Sequence, residues 1–337
     1  MSHLFLFDSE FESALTDELR PAVVQPLSPG MLVSDAPLSG STYLVFARQT
    51  LPGALEVSAI SINNWADGFI DAIVGTLQDD LPWQLHLWPD YGEGRAGQNR
   101  CELIRAALVE RLKKRRRRLA RSLIDDIVPF TPATSLVQCF LTSPESGWLS
   151  VSTAPEPHDL RAIVSAFPRG YMPWAEDKNA PARAFAKLVE AEQRLGRQIK
   201  DGETCVDLGA SPGSWSYVAL QRGAYVTAID RSELREDLMR HPRLRFEATD
   251  AFKYKPQTTV DWLVCDVIAA PQRSIDLLLE WLQEARMRHF VVTIKFKGDD
   301  EYAVLDQLKK QAAPLCADFR LTRLCANKNE VCAFGVL

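Results

Sequence analysis

The stretch CVDLGASPGSW, residues 205–215, runs from a hydrophobic strand into a turn of small residues that opens a helix. A turn of this kind invites a nucleotide-loop reading, yet it fits neither familiar pattern. It lacks the G-x-G-x-x-G of a dinucleotide site, and no G-K-[ST] follows its glycines as a P-loop requires. Asp207, Gly209, Pro212 and Gly213 need another reason, because a glycine lets backbone come close to something. The reason has to come from what surrounds the turn.

Around it, strands and helices alternate. Strands are expected at TCVDL (204–208), AYVTAID (224–230), LRFEAT (244–249), VDWLVCD (260–266) and HFVVTIK (289–295), with helices between most of them. That is the pattern of a parallel sheet covered on both faces. The end differs, since FRLTRLCANKNEVCAFGVL (319–337) reads as two strands joined by a short polar turn. An antiparallel hairpin closing a doubly wound sheet points to a Rossmann-like methyltransferase fold rather than a dehydrogenase.

Ligands of such sheets bind beyond the carboxyl ends of the strands. Asp207, Asp230, Asp250 and Asp266 all fall at or beside those ends. A carboxylate ending the second strand is placed to accept both hydroxyls of a ribose. One after the third is placed to accept from an adenine amino group, while the glycine turn lets a small zwitterion lie against backbone. Taken singly, each acid is an ordinary cap for the next helix. Taken together beside a G-x-x-x-G turn, they describe a pocket for S-adenosylmethionine, with Ser214 and Trp215 completing the turn.

Asp266 separates the chemistries. Amino-group methyltransferases place an Asn or Asp with two prolines and an aromatic at this strand end, and CDVIAAP (265–271) has no such clamp. Cys265 points to the opposite face if the strand alternates, which makes it a core residue. Lys295 ends the strand FVVTIK, a costly place for a lysine unless it faces the site; a snorkelling surface lysine is the bland alternative. Glu330 begins the final strand, at the same edge as the ends of the parallel ones if that strand is antiparallel. Lys187 lies on the helix ARAFAKLVEAEQRL (182–195) ahead of the first strand, and on its own would be an exposed helix lysine.

The first half reads as α+β. HLFLF (3–7) precedes a capped helix in DSEFESALTDEL (8–19); STYLVFARQ (41–49) and LEVSAISI (55–62) read as strands, and WADGFIDAIVGTL (65–77) as an amphipathic helix. WQLHLWPD (83–90) alternates as a strand does, YGEGRAGQ (91–98) is a glycine-marked loop, and SLVQCFLTS (135–143) and GWLSVST (147–153) are further strands. A single helix is expected from about Cys101 to Asp125, buried along Ile104, Leu108, Leu112, Leu119 and Leu123. Arg111, Lys113, Lys114, Arg115, Arg116, Arg117 and Arg118 crowd its middle. Such a run is either a solvated charged face or a surface that tracks RNA phosphates with little sequence preference. Prolines in STAPEPHDL (152–160) and FPRGYMPWAEDKNAP (167–181) break any element, so the domain boundary is expected near residues 160 to 175.

The 337 residues are enough for two or three domains. A net charge of -5 argues against a uniformly basic nucleic-acid binder, though not against a local basic patch. No apolar run approaches the roughly 20 residues that span a bilayer. Acidic residues directly after the short N-terminal apolar run do not suit a signal peptide. Seven cysteines without a C-x-x-C pair fit neither a complete disulfide framework nor a metal knuckle, and suit a reducing cytoplasm.

From about Tyr171 onward the chain resembles the FtsJ-like ribose 2'-O-methyltransferases with their Lys-Asp-Lys-Glu tetrad, and among them the RlmM type that modifies large-subunit (23S) ribosomal RNA. APARAFAKLVEA (180–191) is similar to that group's lysine helix, VDLGASPGSW (206–215) to its donor loop, VCDV (264–267) to its aspartate, TIK (293–295) to its second lysine and NEV (329–331) to its glutamate. The resemblance implies a catalytic tetrad of Lys187, Asp266, Lys295 and Glu330. Two departures stand out: Ser214 where the loop usually carries a second glycine, and a shorter link between the lysine helix and the first strand. The strand, long helix and strand pair of the first half resemble a THUMP RNA-binding domain, and FARQ (46–49) recurs in that group ahead of it. The implied organisation is a small α+β region over 1–60, a THUMP-like region over 61–165 and the methyltransferase domain over 166–337. Two other readings remain open at this point. One is methylation of a base or of a non-RNA acceptor; the other is a non-catalytic RNA-binding protein with a relict donor pocket.

Overall fold

The computed structural model describes residues 2–35, 44–92, 94–124, 133–154, 163–173 and 176–337, the side chains of 299 and 300 excepted. The chain divides into two compact units, residues 1–172 and 173–337.

The first unit holds two four-stranded sheets. One is antiparallel, in the order β2-β3-β1-β4, from β1 (His3–Leu6), β2 (Val24–Ser28), β3 (Met31–Ser34) and β4 (Gln49–Leu51). The other runs β5-β8-β7-β6, from β5 (Leu55–Ser58), β6 (Trp83–Pro89), β7 (Ser135–Leu141) and β8 (Ser146–Ser152), with β6 parallel to β7. The helices Ile62–Ile73 and Ala96–Arg115 cover one face of this second sheet, burying Trp65, Phe69, Ile104 and Leu108 against Leu85 and Val137.

Three sequence expectations change here. In STYLVFARQ, residues 41–43 lie outside the described set, and of the rest only Gln49 is in a strand. The backbone N–H groups of Val45 and Phe46 donate instead to the Glu18 carboxylate at 2.9–3.0 Å, so a side chain takes what a ladder would have used. In LEVSAISI the strand stops at Ser58; Ser61 caps the next helix through its hydroxyl, and Ile62 belongs to that helix. The helix expected from Cys101 to Asp125 starts earlier, at Ala96, and breaks at Arg116 (φ -144, ψ 67) before a short turn of helix, Arg117–Arg121. The gap in the apolar stripe between Leu112 and Leu119 is that break. Leu123 then bridges to Trp83 beside β6, and Asp125 is outside the described residues.

The second unit is one seven-stranded sheet in the order β11-β10-β9-β12-β13-β15-β14. Its strands are β9 (Thr204–Leu208), β10 (Tyr225–Asp230), β11 (Leu244–Ala248), β12 (Val260–Cys265), β13 (Met287–Lys295), β14 (Asp318–Thr322) and β15 (Glu330–Val336). The first five are parallel, and β15 enters antiparallel between β13 and β14. Central strands with both faces covered read as near-continuous apolar runs, as in WLVC of β12 and FVV of β13. Trp262 and Trp281 are fully buried, each contributing roughly 2–3 kcal/mol by area. The hairpin brings the start of β15 to the same edge as the ends of β9, β10, β12 and β13, and that edge carries the site.

Candidate active site

Antiparallel register places Lys295, the last residue of β13, directly opposite Glu330, the first of β15. Asp266 follows the end of β12, one residue past the Cys265–Val292 pair. Lys187 arrives from the helix Phe185–Leu195, whose apolar side packs under the sheet. The four side chains meet. Lys187 Nζ lies 2.5 Å from Glu330 Oε1 and 3.3 Å from both Asp266 oxygens. Lys295 Nζ lies 2.9 Å from Asp266 Oδ1, 3.0 Å from the Asp266 carbonyl and 3.8 Å from Glu330 Oε2. Two cations and two carboxylates thus alternate in a closed, nearly buried ring.

The helix carrying Lys187 is itself tied down. Glu190, almost fully buried, pairs with Arg194 at 2.7 Å and accepts the Cys325 N–H at 2.8 Å from the connection that leads into β15. Burial by itself pulls the Lys187 ammonium down, but Asp266 and Glu330 outweigh it and raise its pKa above the ordinary 10.5. Both carboxylates therefore favour the charged form of Lys187.

Beside the ring is a cavity of about 340 Å³ whose wall includes Asp207, Gly209, Pro212, Ser214, Trp215, Asp230, Asp266 and Lys295. Asp207 ends deep in the fold, accepting from the Ser216 N–H and hydroxyl at 2.9 and 2.7 Å. Burial pushes its carboxyl up to about 7 against those two bonds, and the nearby Asp266 and Asp230 charges add to the rise. The Asp230 carboxylate is oriented by the Ser211 and Ser232 N–H groups at 3.0 and 2.9 Å, which leaves lone pairs for a ligand.

Two of the residues expected in this pocket do not line it. Gly213 has φ +110, so its glycine serves the left-handed backbone that opens the helix Ser214–Gln221. Asp250 accepts from Phe252 N–H at 3.0 Å and from Arg231 at 2.8 Å; the Phe252 bond and then Arg231 hold its pKa below the usual carboxylate value. Gly209, at φ +77, is the glycine that lets backbone come close, because a Cβ would meet the Val267 backbone at 2.9 Å. Ser214 and Trp215 also work on protein. The Trp215 indole N–H donates to the Ala184 carbonyl at 2.7 Å and the Ser214 hydroxyl to that of Ala182 at 3.3 Å, which docks the donor turn onto the entry of the Lys187 helix.

Sequence reasoning missed Thr293, whose hydroxyl donates to Asp266 Oδ1 at 2.7 Å, together with Ser216 and the 182–184 backbone. Thr293 was visible as the one hydroxyl in an otherwise apolar strand interior, whereas the backbone partners leave no trace in residue type.

In the first unit the basic run is partly neutralised. Arg111 pairs with Asp67 at 2.9 Å, Arg116 with Asp79 at 2.8 Å and Lys113 with Glu110 at 3.0 Å. Arg115 and Arg118 lie 4.0 Å from Asp67 and Asp80. Lys114 and Arg117 are exposed, with no ion-pair partner among the described residues.

A doubly wound sheet ended by an antiparallel hairpin, with acids around a turn at the carboxyl edge, defines a methyltransferase domain, and the FtsJ-like methyltransferase family matches residues 180–313. Proteins named ribosomal RNA large subunit methyltransferase M are similar over most of the chain. That of Halorhodospira halophila (strain DSM 244 / SL1) is 33% identical over 77% of this chain and 70% of its own. Those of Azoarcus sp. (strain BH72) and Laribacter hongkongensis (strain HLHK9) are each 28% identical, covering 87% and 94% of this chain and 79% and 89% of theirs. The chain belongs to the ribosomal RNA large subunit methyltransferase M family. Among the described residues no helix is long and apolar enough to cross a membrane.

Proposed function

We propose that the protein methylates the 2'-hydroxyl of a ribose in RNA, using S-adenosylmethionine, with large-subunit ribosomal RNA as the substrate. One observation carries this reading: the ring of Lys187, Asp266, Lys295 and Glu330 abuts the cavity at the turn, sharing Asp266 and Lys295 with it. The cavity suits the donor's charge. Apart from the buried Asp207, its wall sets the Asp230 and Asp266 carboxylates against one ammonium, Lys295, a negative balance that the donor's net positive charge would offset. Asp230 would hold the donor's ribose, and the backbone around Gly209 its amino-acid end. The bound donor supplies an already activated methyl group.

What remains for the protein is alignment and charge, worth much of the barrier when preorganised. Lys187, held as a cation, stabilises negative charge developing on the attacking oxygen. Lys295 is the lysine on the cavity wall, so it meets the hydroxyl and takes its proton. Asp266 and Glu330 keep the two Nζ atoms at fixed places. RNA is captured by the first unit through Lys113, Lys114, Arg115, Arg116, Arg117 and Arg118, with Lys114 and Arg117 the most available to phosphates and Arg116 the most committed to protein.

Mass-spectrometric mapping of ribosomal RNA from cells with and without the protein tests the assignment. One large-subunit 2'-O-methyl that disappears on deletion and returns on complementation is the expected result. A lost base methyl, or no change, would overturn it.

A further inference from the structure

The strand that delivers Lys295 is apolar through its buried stretch except at Thr293, which is fully buried. A hydroxyl in such a place is costly unless bonded. Thr293 Oγ1 lies 2.7 Å from Asp266 Oδ1 and 3.5 Å from the Cys265 carbonyl, so its single proton goes to the carboxylate. The same Oδ1 receives Lys295 at 2.9 Å and Lys187 at 3.3 Å. Three donors converge on one oxygen, while Oδ2 accepts only from Lys187 among the described residues.

The three donors are not equivalent. Both lysines sit on long, flexible stems, whereas threonine is β-branched, stiff at χ1 and anchored mid-strand. The rigid donor is the one that can set the carboxylate plane. We propose that Thr293 is a positioning residue for methyl transfer, its hydroxyl locking Asp266 so that the lysines on either side are held at reacting distance. The proposal rests on the reading of this ring as the ribose methylation centre.

It also bears on charge. A hydroxyl bonded to Oδ1 draws off part of the negative charge that would otherwise act on Lys295. The groups facing Asp266 are Lys187 from its helix, Lys295 from β13, Glu330 from β15 and Asp207 from the end of β9. Burial pushes the neighbouring Cys265 thiol up to about 12 and the Cys332 thiol well above its ordinary value, so both stay neutral. Without the hydroxyl, Asp266 keeps only its two flexible ammonium partners, and the placement of both Nζ atoms loosens.

The test compares Thr293→Val, nearly isosteric, with Thr293→Ser, which keeps the hydroxyl. Loss of one charge-assisted hydrogen bond corresponds to a roughly 10- to 100-fold fall in kcat for the valine variant. KM for RNA and donor affinity by calorimetry should stay within about twofold, since Thr293 belongs to neither binding surface. The serine variant should recover most of kcat. Should the valine variant fail to bind donor, Thr293→Ala takes its place, since it removes the hydroxyl without adding a methyl at that position. A valine or alanine variant with wild-type kcat overturns the proposal, and so does one that loses KM and kcat alike or a serine variant as slow as they are. Wild-type protein that transfers methyl elsewhere than to a ribose oxygen overturns the functional reading instead, and the two failures are told apart in the same assay.

Discussion

Replacing Lys295 by methionine keeps the apolar stem and removes only the ammonium. Asp266 then loses its 2.9 Å partner but retains Thr293 at 2.7 Å and Lys187 at 3.3 Å. Glu330 retains Lys187 at 2.5 Å. No carboxylate is left alone, so the fold should lose only about 1 kcal/mol, well short of the roughly 3–5 kcal/mol typical when a buried charge is orphaned. The cavity wall becomes all carboxylate, so a cationic donor should bind as well as before or a few-fold more tightly. Turnover is different. Loss of the group that takes the proton costs about 10²- to 10⁴-fold in kcat, or roughly 2.7 to 5.4 kcal/mol of transition-state stabilisation. Labelled methyl transfer measures the rate, calorimetry the donor affinity, and alkali resistance of the modified linkage shows that the product is a 2'-O-methyl. Near wild-type transfer would refute the role given to Lys295. An abolished donor affinity would show that the lysine serves the cavity and not the reaction.

The same geometry sets three further outcomes. Asp207 has a folded value of about 7 against an ordinary 3.8, so between those values the unfolded chain ionises while the folded one keeps its proton. Its contribution to stability is greatest below about pH 4 and falls by on the order of 4 kcal/mol by pH 7. Urea midpoints of Asp207→Asn should lack that slope, and parallel slopes for variant and wild type would refute it. Asp230→Ala should weaken adenosylmethionine binding by roughly 1.5–3 kcal/mol with RNA affinity unchanged, and calorimetry with an unaltered donor affinity would remove Asp230 from the pocket. Replacing Lys114 and Arg117 with glutamine should lower the salt slope of RNA binding by about 0.7 to 0.9 for each phosphate no longer neutralised. Arg116→Gln should instead lower thermal stability through Asp79 and leave most of the slope, so equal slopes for all variants would place RNA elsewhere.

The order of elements in the second unit was legible because each central strand is a largely apolar run and the runs alternate with helical segments. Edge placement was legible for the same reason: strand ends are where the hydrophobic run stops, and Asp207, Asp230, Asp266, Lys295 and Glu330 stand at those stops. Residue type and spacing say nothing, however, about which partner a side chain chooses. That Asp250 accepts from Arg231 and that Trp215 bonds the Ala184 carbonyl are pairings between segments distant in sequence, settled when the chain packs. The basic run shows the limit best. Its charge is plain from the sequence, but the Asp67 and Asp79 that neutralise Arg111 and Arg116 come from another helix and the loop beyond it. Lys187 is the converse case: on its own helix it is an ordinary surface lysine. Only the antiparallel insertion of β15 between β13 and β14 brings Glu330 to the edge where Asp266 already stands. Two carboxylates at hydrogen-bonding distance then offset the desolvation of its charge, and a buried cation becomes stable there.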